Sequence, residues 1–230
     1  MWWGNPVPTK IEWTEETWNP VTGCSPVSLG CQNCYARRMA NRLRGRFGYP
    51  KNDPFRVTYH ADREGMPLFW KRPRHIFVCS MSDLMHRDIP QCIVAHTIQT
   101  MTLTPHHTYQ VLTKRPDRLR EFAWPSNCWV GVTVEHPDYL DRIDTLRWVK
   151  APLRFVSFEP LLAKMPDLDL SGIGWVIVGG ETGPGRRLMQ KSWAISILQD
   201  AKSEWIPFFF KRFSTGSRLL DGRMWEEVPE

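Results

Sequence analysis

From His75 onward the chain alternates short, continuous apolar runs with amphipathic stretches, and that rhythm narrows the folds open to it. The runs are HIFVC (75–79), TYQVLT (108–113), CWVGVTV (128–134), LRFVSFE (153–159), GWVIVGGE (174–181) and IPFFFKRF (206–213). The stretches between them predict helices over 89–101, over 115–123 with Pro116 in the first turn, over 137–149 and over 190–202. Strands alternating with helices predict parallel βαβ units. Runs that are apolar throughout predict strands covered on both faces. A further strand in EETWNP (15–20) brings the count to six or seven. The expected fold is α/β, a βα barrel or partial barrel of six to seven parallel strands, in one domain over 1–230. An open doubly wound sheet carries the same signature. Residues 45–74 are rich in Gly, Pro and Arg and poorly periodic, so they read as an insertion, with a short strand in RVTYH (56–60). An irregular segment of ~30 residues is generally functional.

Three cysteines lie ahead of a helix pattern in GCSPVSLGCQNCYARRMANRL (23–43): Cys24, Cys31 and Cys34. Tyr35, Ala36, Met39, Ala40 and Leu43 form the apolar stripe of that helix, which leaves Arg37, Arg38, Arg42, Arg44 and Arg46 for solvent. No apolar run approaches the ~20 residues of a membrane span. MWWGNPVPTK lacks the basic and apolar regions of a secretory signal, so the expected location is the cytoplasm. Thiols stay reduced there, and three chemistries suit them. Zinc would need a fourth ligand: His60, His86 or another cysteine. A redox pair would use Cys31 and Cys34. A [4Fe-4S] cluster held by three thiolates would leave one iron open.

In barrels and doubly wound sheets function gathers at the carboxyl ends of the strands. The residues falling there are Ser80, Ser82 and Asp83; Thr113, Lys114 and Arg115; Glu135 and His136; Ser157 and Glu159; Gly179, Gly180 and Glu181; and Lys211. Of these, Ser80, Ser82, Asp83, Glu135, Ser157 and Glu159 are expected to line one cavity with the cysteines. GGETGPG (179–185) lacks both the dinucleotide and the P-loop spacing. The net charge of +6 and pI of about 9.1 are compatible with a polyanionic partner. Lys114, Arg115, Arg186, Arg187 and Lys211 are candidates to bind a phosphate-bearing substrate. Twelve tryptophans are expected mostly in the core, with some free to stack on bases. Cys92 and Cys128 read as structural.

Three clustered cysteines after the first barrel strand, with aromatic Tyr35 beside the last, resemble the radical S-adenosylmethionine superfamily. The resemblance implies that the open iron chelates S-adenosylmethionine and that an electron from the cluster cleaves it to a 5′-deoxyadenosyl radical. It also implies a reducing electron donor of flavodoxin or ferredoxin type. The phrases TWNPVTGC, GCQNCYA, SMSDL, LTKRP, FEPLL, VGGETGP and FFFKRF, from about Trp13 to Phe213, resemble a phage and bacterial family of unknown function. Within the superfamily, CYA is similar to spore photoproduct lyase. The spacing here is C-x6-C-x2-C where the superfamily has C-x3-C-x2-C. SMSD stands where the superfamily carries Gly-Gly-Glu, and GGE comes late, at 179–181. On this resemblance Tyr35, Ser80, Ser82, Asp83, Glu135, Ser157, Glu159, Gly179, Gly180 and Glu181 are expected at the cofactor. Cys79 is a candidate hydrogen donor, and the substrate is expected to be a nucleic-acid base or nucleotide. Two alternatives remain open: a zinc-bearing nucleic-acid-binding protein without catalysis, and an iron–sulfur electron-transfer or sensor protein.

Overall fold

The computed structural model describes residues 9–229. Residues 1–8, most of the segment read for a secretory signal, lie outside the described residues. In chain order the elements are β1 (Glu16–Trp18), β2 (Val21–Thr22), α1 (Tyr35–Arg42), β3 (Thr58–Tyr59), β4 (His75–Val78), α2 (Gln91–Leu103), β5 (Thr108–Thr113), β6 (Cys128–Thr133), α3 (Asp141–Arg147), β7 (Leu153–Phe158), β8 (Trp175–Val178), α4 (Lys191–Ser203) and β9 (Phe208–Phe210).

Seven strands pair in parallel in the order β1-β4-β5-β6-β7-β8-β9. The order never reverses, which separates this sheet from a doubly wound one. The first and last strands do not pair, so the sheet curls into a half-barrel and does not close. The insertion contributes β3, which pairs antiparallel with β2 outside the main sheet. The short helix expected over 115–123 is a 3-10 helix over Pro116–Glu121, with Pro116 opening it. As the sequence pattern suggests, the connection from β7 to β8 carries no helix among the described residues. No helix among the described residues is long and apolar enough to cross a membrane.

Alternation along the strands separates two cores. Val111, Val130, Val132, Val156, Phe158, Val176 and Val178 pack against Val94 and Met101 of α2, Ile143 and Leu146 of α3, and Ala194 and Ile197 of α4. The opposite, concave face carries Phe77, Trp129, Phe155, Trp175, Ile177 and Phe209. Trp13, from the segment ahead of β1, inserts there, with its ring 4.7 Å from Phe77 and 6.1 Å from Trp175. Gln110 Nε2 donates to Trp13 O at 3.3 Å and fixes that segment in place. Burying each such side chain contributes about 1.5–3 kcal/mol. Among the described residues six tryptophans are buried (Trp13, Trp18, Trp70, Trp124, Trp129 and Trp175), whereas Trp148 and Trp205 are exposed. The concave face is thus aromatic toward the amino ends of the strands. Thr133, Ser157, Ile177 and Phe209 stand in register one layer higher. In the same phase follow the polar residues of the carboxyl rim.

Candidate functional site

The cysteine loop crosses that rim between β2 and α1. Gly23 starts it: its N–H donates to Met81 O at 2.9 Å, and Ser82 Oγ donates back to Gly23 O at 2.6 Å. Gly23 has φ +86, and a Cβ there would lie 2.1 Å from Arg56 O. Only glycine fits this turn. Cys24 N–H donates to Phe55 O at 3.1 Å, so the insertion holds the loop from outside. Cys31 ends a 3-10 turn over Leu29–Cys31, and Cys34 precedes the first residue of α1. All six cysteines are free, and the three of the loop are partly exposed.

Three carboxylates expected at the cofactor, Asp83, Glu135 and Glu181, clamp this loop. Glu135, fully buried, accepts from Ser28 Oγ and from Gly30 N–H at 3.2 Å, while Arg142 Nη1 donates to its other oxygen at 2.9 Å. Glu181 accepts from Asn33 Nδ2 at 2.9 Å and from Arg187 N–H at 2.8 Å, and pairs with the Arg187 guanidinium at 2.5 Å. Arg187 Nη2 in turn donates to Leu29 O at 3.0 Å. Asp83 accepts from Thr113 Oγ1 at 2.6 Å, Met85 N–H at 3.0 Å, Lys114 N–H at 3.1 Å and Arg115 Nη1 at 3.0 Å. Arg115 carries that charge onward: Nη1 lies 3.4 Å from Cys24 Sγ, and Nη2 donates to Ser25 O at 2.7 Å.

The thiols differ electrostatically. Burial pushes Cys24 up to about 11, helped by Asp83 and only partly opposed by Arg115. At Cys31 burial also pushes upward, but hydrogen bonds from Val27 and Ser28 and the charge of Lys114 outweigh it, and the thiol sits below its ordinary range. Burial raises Glu181, yet the hydrogen bonds from Arg187 and Asn33 prevail and bring it to about 2.

The remaining predicted residues divide. Ser80 Oγ meets Asn19 at 3.2 Å, and Ser80 O accepts from the Tyr35 hydroxyl. Glu159 accepts from Lys211 Nζ at 2.5 Å. Gly179 N–H donates to Phe158 O at 3.1 Å and Gly180 N–H to Arg212 O at 2.8 Å, so these glycines tie neighbouring strand ends together. Ser157 Oγ is buried on the concave face and has no hydrogen-bond partner among the described residues. Cys79 is buried in the helix-side core with φ +61, and burial pushes its thiol up to about 12. Among the proposed substrate cations, Arg115, Arg187 and Lys211 are neutralised by Asp83, Glu181 and Glu159. Arg186 is exposed, and its nearest acceptor is Gly183 O at 3.5 Å. Lys114 is half-buried, and its ammonium makes no hydrogen bond or ion pair among the described residues.

Sequence reasoning missed Ser28, Asn33 and Arg142. Nothing in a 3.6-residue pattern marks Arg142 as a buried counterion. His60 and His86, the two histidines considered as zinc ligands, each meet a hydroxyl: Thr22 Oγ1 lies 2.7 Å from His60 Nε2, and Ser25 Oγ 2.6 Å from His86 Nε2. Among the described residues no three His, Cys, Asp or Glu side chains are gathered to hold one metal ion. The donor set itself, three free thiols on one loop, suits a thiophilic group. The cysteines of a four-iron cluster each take a different iron, so they do not need to converge on a single ion. The donor set of the loop is compatible with such a group.

A spore photoproduct lyase complexed with dinucleoside spore photoproduct superposes with a TM-score of 0.53 at 12% identity, over 86% of this chain and 64% of the lyase chain. A cysteine-to-serine mutant of that lyase gives a TM-score of 0.55 at 13% identity, with the same coverages. A double mutant with bound AdoMet and the dinucleoside gives 0.53 at 12%, again with the same coverages. The chain therefore spans just under two thirds of the length of these lyases, with which it shares a fold. No curated protein matches the sequence. The family model described as "Protein of unknown function (DUF5131)" matches residues 8–229. The chain belongs to the DUF5131 family.

Proposed function

We propose that this protein is a radical S-adenosylmethionine enzyme acting on a nucleic-acid base or nucleotide. The observation that carries the reading is the trio of free thiols on one clamped loop at the carboxyl rim of an open parallel half-barrel. The fold shared with spore photoproduct lyase, which is seen with AdoMet and a dinucleoside, supports it. When bound, the cluster supplies one electron that cleaves S-adenosylmethionine to methionine and a carbon radical able to take hydrogen from an unreactive C–H bond.

The chain's own residues hold and shield. Cys24, Cys31 and Cys34 ligate the cluster, and Arg115 and Lys114 offset the negative charge that three thiolates bring. Glu135 and Glu181 fix the loop from two sides. Ser157 Oγ and the Lys114 ammonium, both without a side-chain partner among the described residues, are polar groups left for a bound cofactor. The aromatic concave face beneath excludes water from the reacting atoms. A flavodoxin- or ferredoxin-type donor supplies the electron.

Anaerobic reconstitution with iron and sulfide, followed by S-adenosylmethionine and dithionite, is expected to give brown protein and 5′-deoxyadenosine. Colourless protein carrying stoichiometric zinc would overturn the reading in favour of a zinc protein. Brown protein that leaves S-adenosylmethionine intact would make it an electron carrier or sensor.

A further inference from the structure

At the rim, three of the five candidate phosphate-binding cations, Arg115, Arg187 and Lys211, are neutralised by carboxylates, which leaves Lys114 and Arg186. The charge distribution supplies more cations elsewhere. Residues 37–74 hold eleven Lys and Arg against three Asp and Glu, a net of +8, while the whole chain carries +6. The rest of the molecule is therefore net acidic, and the positive field belongs to α1 and the insertion.

The structure holds these charges without cancelling them. Arg37, Arg42, Arg44, Arg46, Lys51 and Arg56 are exposed, and none forms an ion pair among the described residues. Where they are anchored, the anchors are neutral. Arg44 Nη1 donates to Lys51 O at 2.8 Å, Arg46 Nη2 donates to Arg42 O at 2.6 Å, and Arg37 lies over the Phe55 ring at 5.4 Å. Such contacts order a guanidinium and leave its charge for a ligand. The predominance of arginine suits phosphodiester oxygens, which a planar fork meets two at a time. Phe47, 71% exposed, stands between Arg46 and the αL turn at Gly48, as a ring available for stacking on a base.

This face is joined to the cysteine loop at both ends. α1 begins directly after Cys34, and the insertion holds Cys24 through Phe55 O and pairs β3 with β2. We infer that α1 and the insertion form a nucleic-acid backbone-binding face beside the cysteine loop. It deepens the substrate half of the proposed function: a strand held there lies next to the rim where that reading places the chemistry. Backbone contacts then offset the few kcal/mol needed to unstack a base.

The test is fluorescence anisotropy with short single- and double-stranded DNA and RNA oligonucleotides over a salt series. The full chain is used, both as purified and after chelation, so that binding is scored independently of any cluster. Arg42→Gln/Lys51→Gln/Arg56→Gln removes three exposed charges that make no side-chain hydrogen bond among the described residues. Arg120→Gln/Lys150→Gln/Lys164→Gln removes three exposed charges outside the face. Wild type and the second variant are expected to bind alike. The first is expected to bind at least about tenfold more weakly at low salt, with its log–log salt slope on duplex DNA reduced by about 2–3. Equal loss in both variants, salt-independent binding, or no oligonucleotide binding would overturn the inference, as would the same charge dependence shown only for phosphatidylserine vesicles. Persistent, salt-dependent binding by a protein that never takes up iron would refute the cluster and leave this face standing.

Discussion

Glu135 and Arg142 form a buried ion pair at 2.9 Å, and the carboxylate oxygen left over holds the cysteine loop through Ser28 and Gly30. One group thus serves α3 and the loop together. Glu135→Ala strands the Arg142 charge in the interior, and the expected loss is about 3–5 kcal/mol by urea unfolding. Glu135→Leu/Arg142→Met removes both charges and should recover most of that stability. It should still fail to retain reconstituted iron, because Ser28 and Gly30 have lost their acceptor. A loss below ~0.5 kcal/mol in the single variant would show that the pair is solvated.

Cys31 should be the reactive thiol of the loop. Its thiol lies below the ordinary value of 9.0, while Cys24 lies at about 11. At pH 8 the thiolate fraction therefore favours Cys31 by more than about 100-fold. Nucleophilicity falls with pKa, so the expected advantage in alkylation by iodoacetamide is more than ~10-fold. Mass spectrometry of quenched time points measures it. Equal rates would mean that Lys114 and Ser28 do not stabilise the thiolate.

Acid should loosen the site in two stages. Burial, then the charge of Arg63, brings His60 down to about 4, against a partial upward pull from Asp62. The folded state then binds fewer protons than the unfolded one below pH 6.5, so this contribution is complete above 6.5 and is lost as pH falls to 4. Glu181, depressed from 4.5 to about 2, contributes above 4.5 and loses its share between 4.5 and 2. Urea midpoints against pH should show the first loss shrinking in His60→Asn and the second in Glu181→Gln. Unchanged slopes in these variants would assign the acid sensitivity to other groups.

Gly23→Ala should unfasten the loop without unfolding the barrel. The alanine Cβ would collide with Arg56 O, and φ +86 costs an alanine of order 1–3 kcal/mol. The expected result is a small fall in global stability with a large fall in iron retained per chain, compared with Gly216→Ala, where open space surrounds the position. Equal iron in both variants would mean that the turn at Gly23 is not needed to present Cys24.

The parallel architecture was legible in the chain because burial on both faces makes each strand a continuous apolar run. HIFVC, CWVGVTV and GWVIVGGE fold where their composition places them, as β4, β6 and β8. The position of the cysteine loop at the carboxyl rim follows from the same order. Closure of the sheet was not legible, since it depends on whether β1 meets β9, a relation between the two ends of the chain that no local pattern carries. Partner choice at the rim was equally hidden. Glu135, Glu181 and Lys211 each stand at a strand end as the sequence suggests, yet their partners Arg142, Asn33 and Glu159 come from other elements. A charged residue carries in its identity the capacity to bind a cofactor, a phosphate or a neighbouring side chain. Which of these it meets is decided by the few ångströms that the fold sets between groups far apart in the chain.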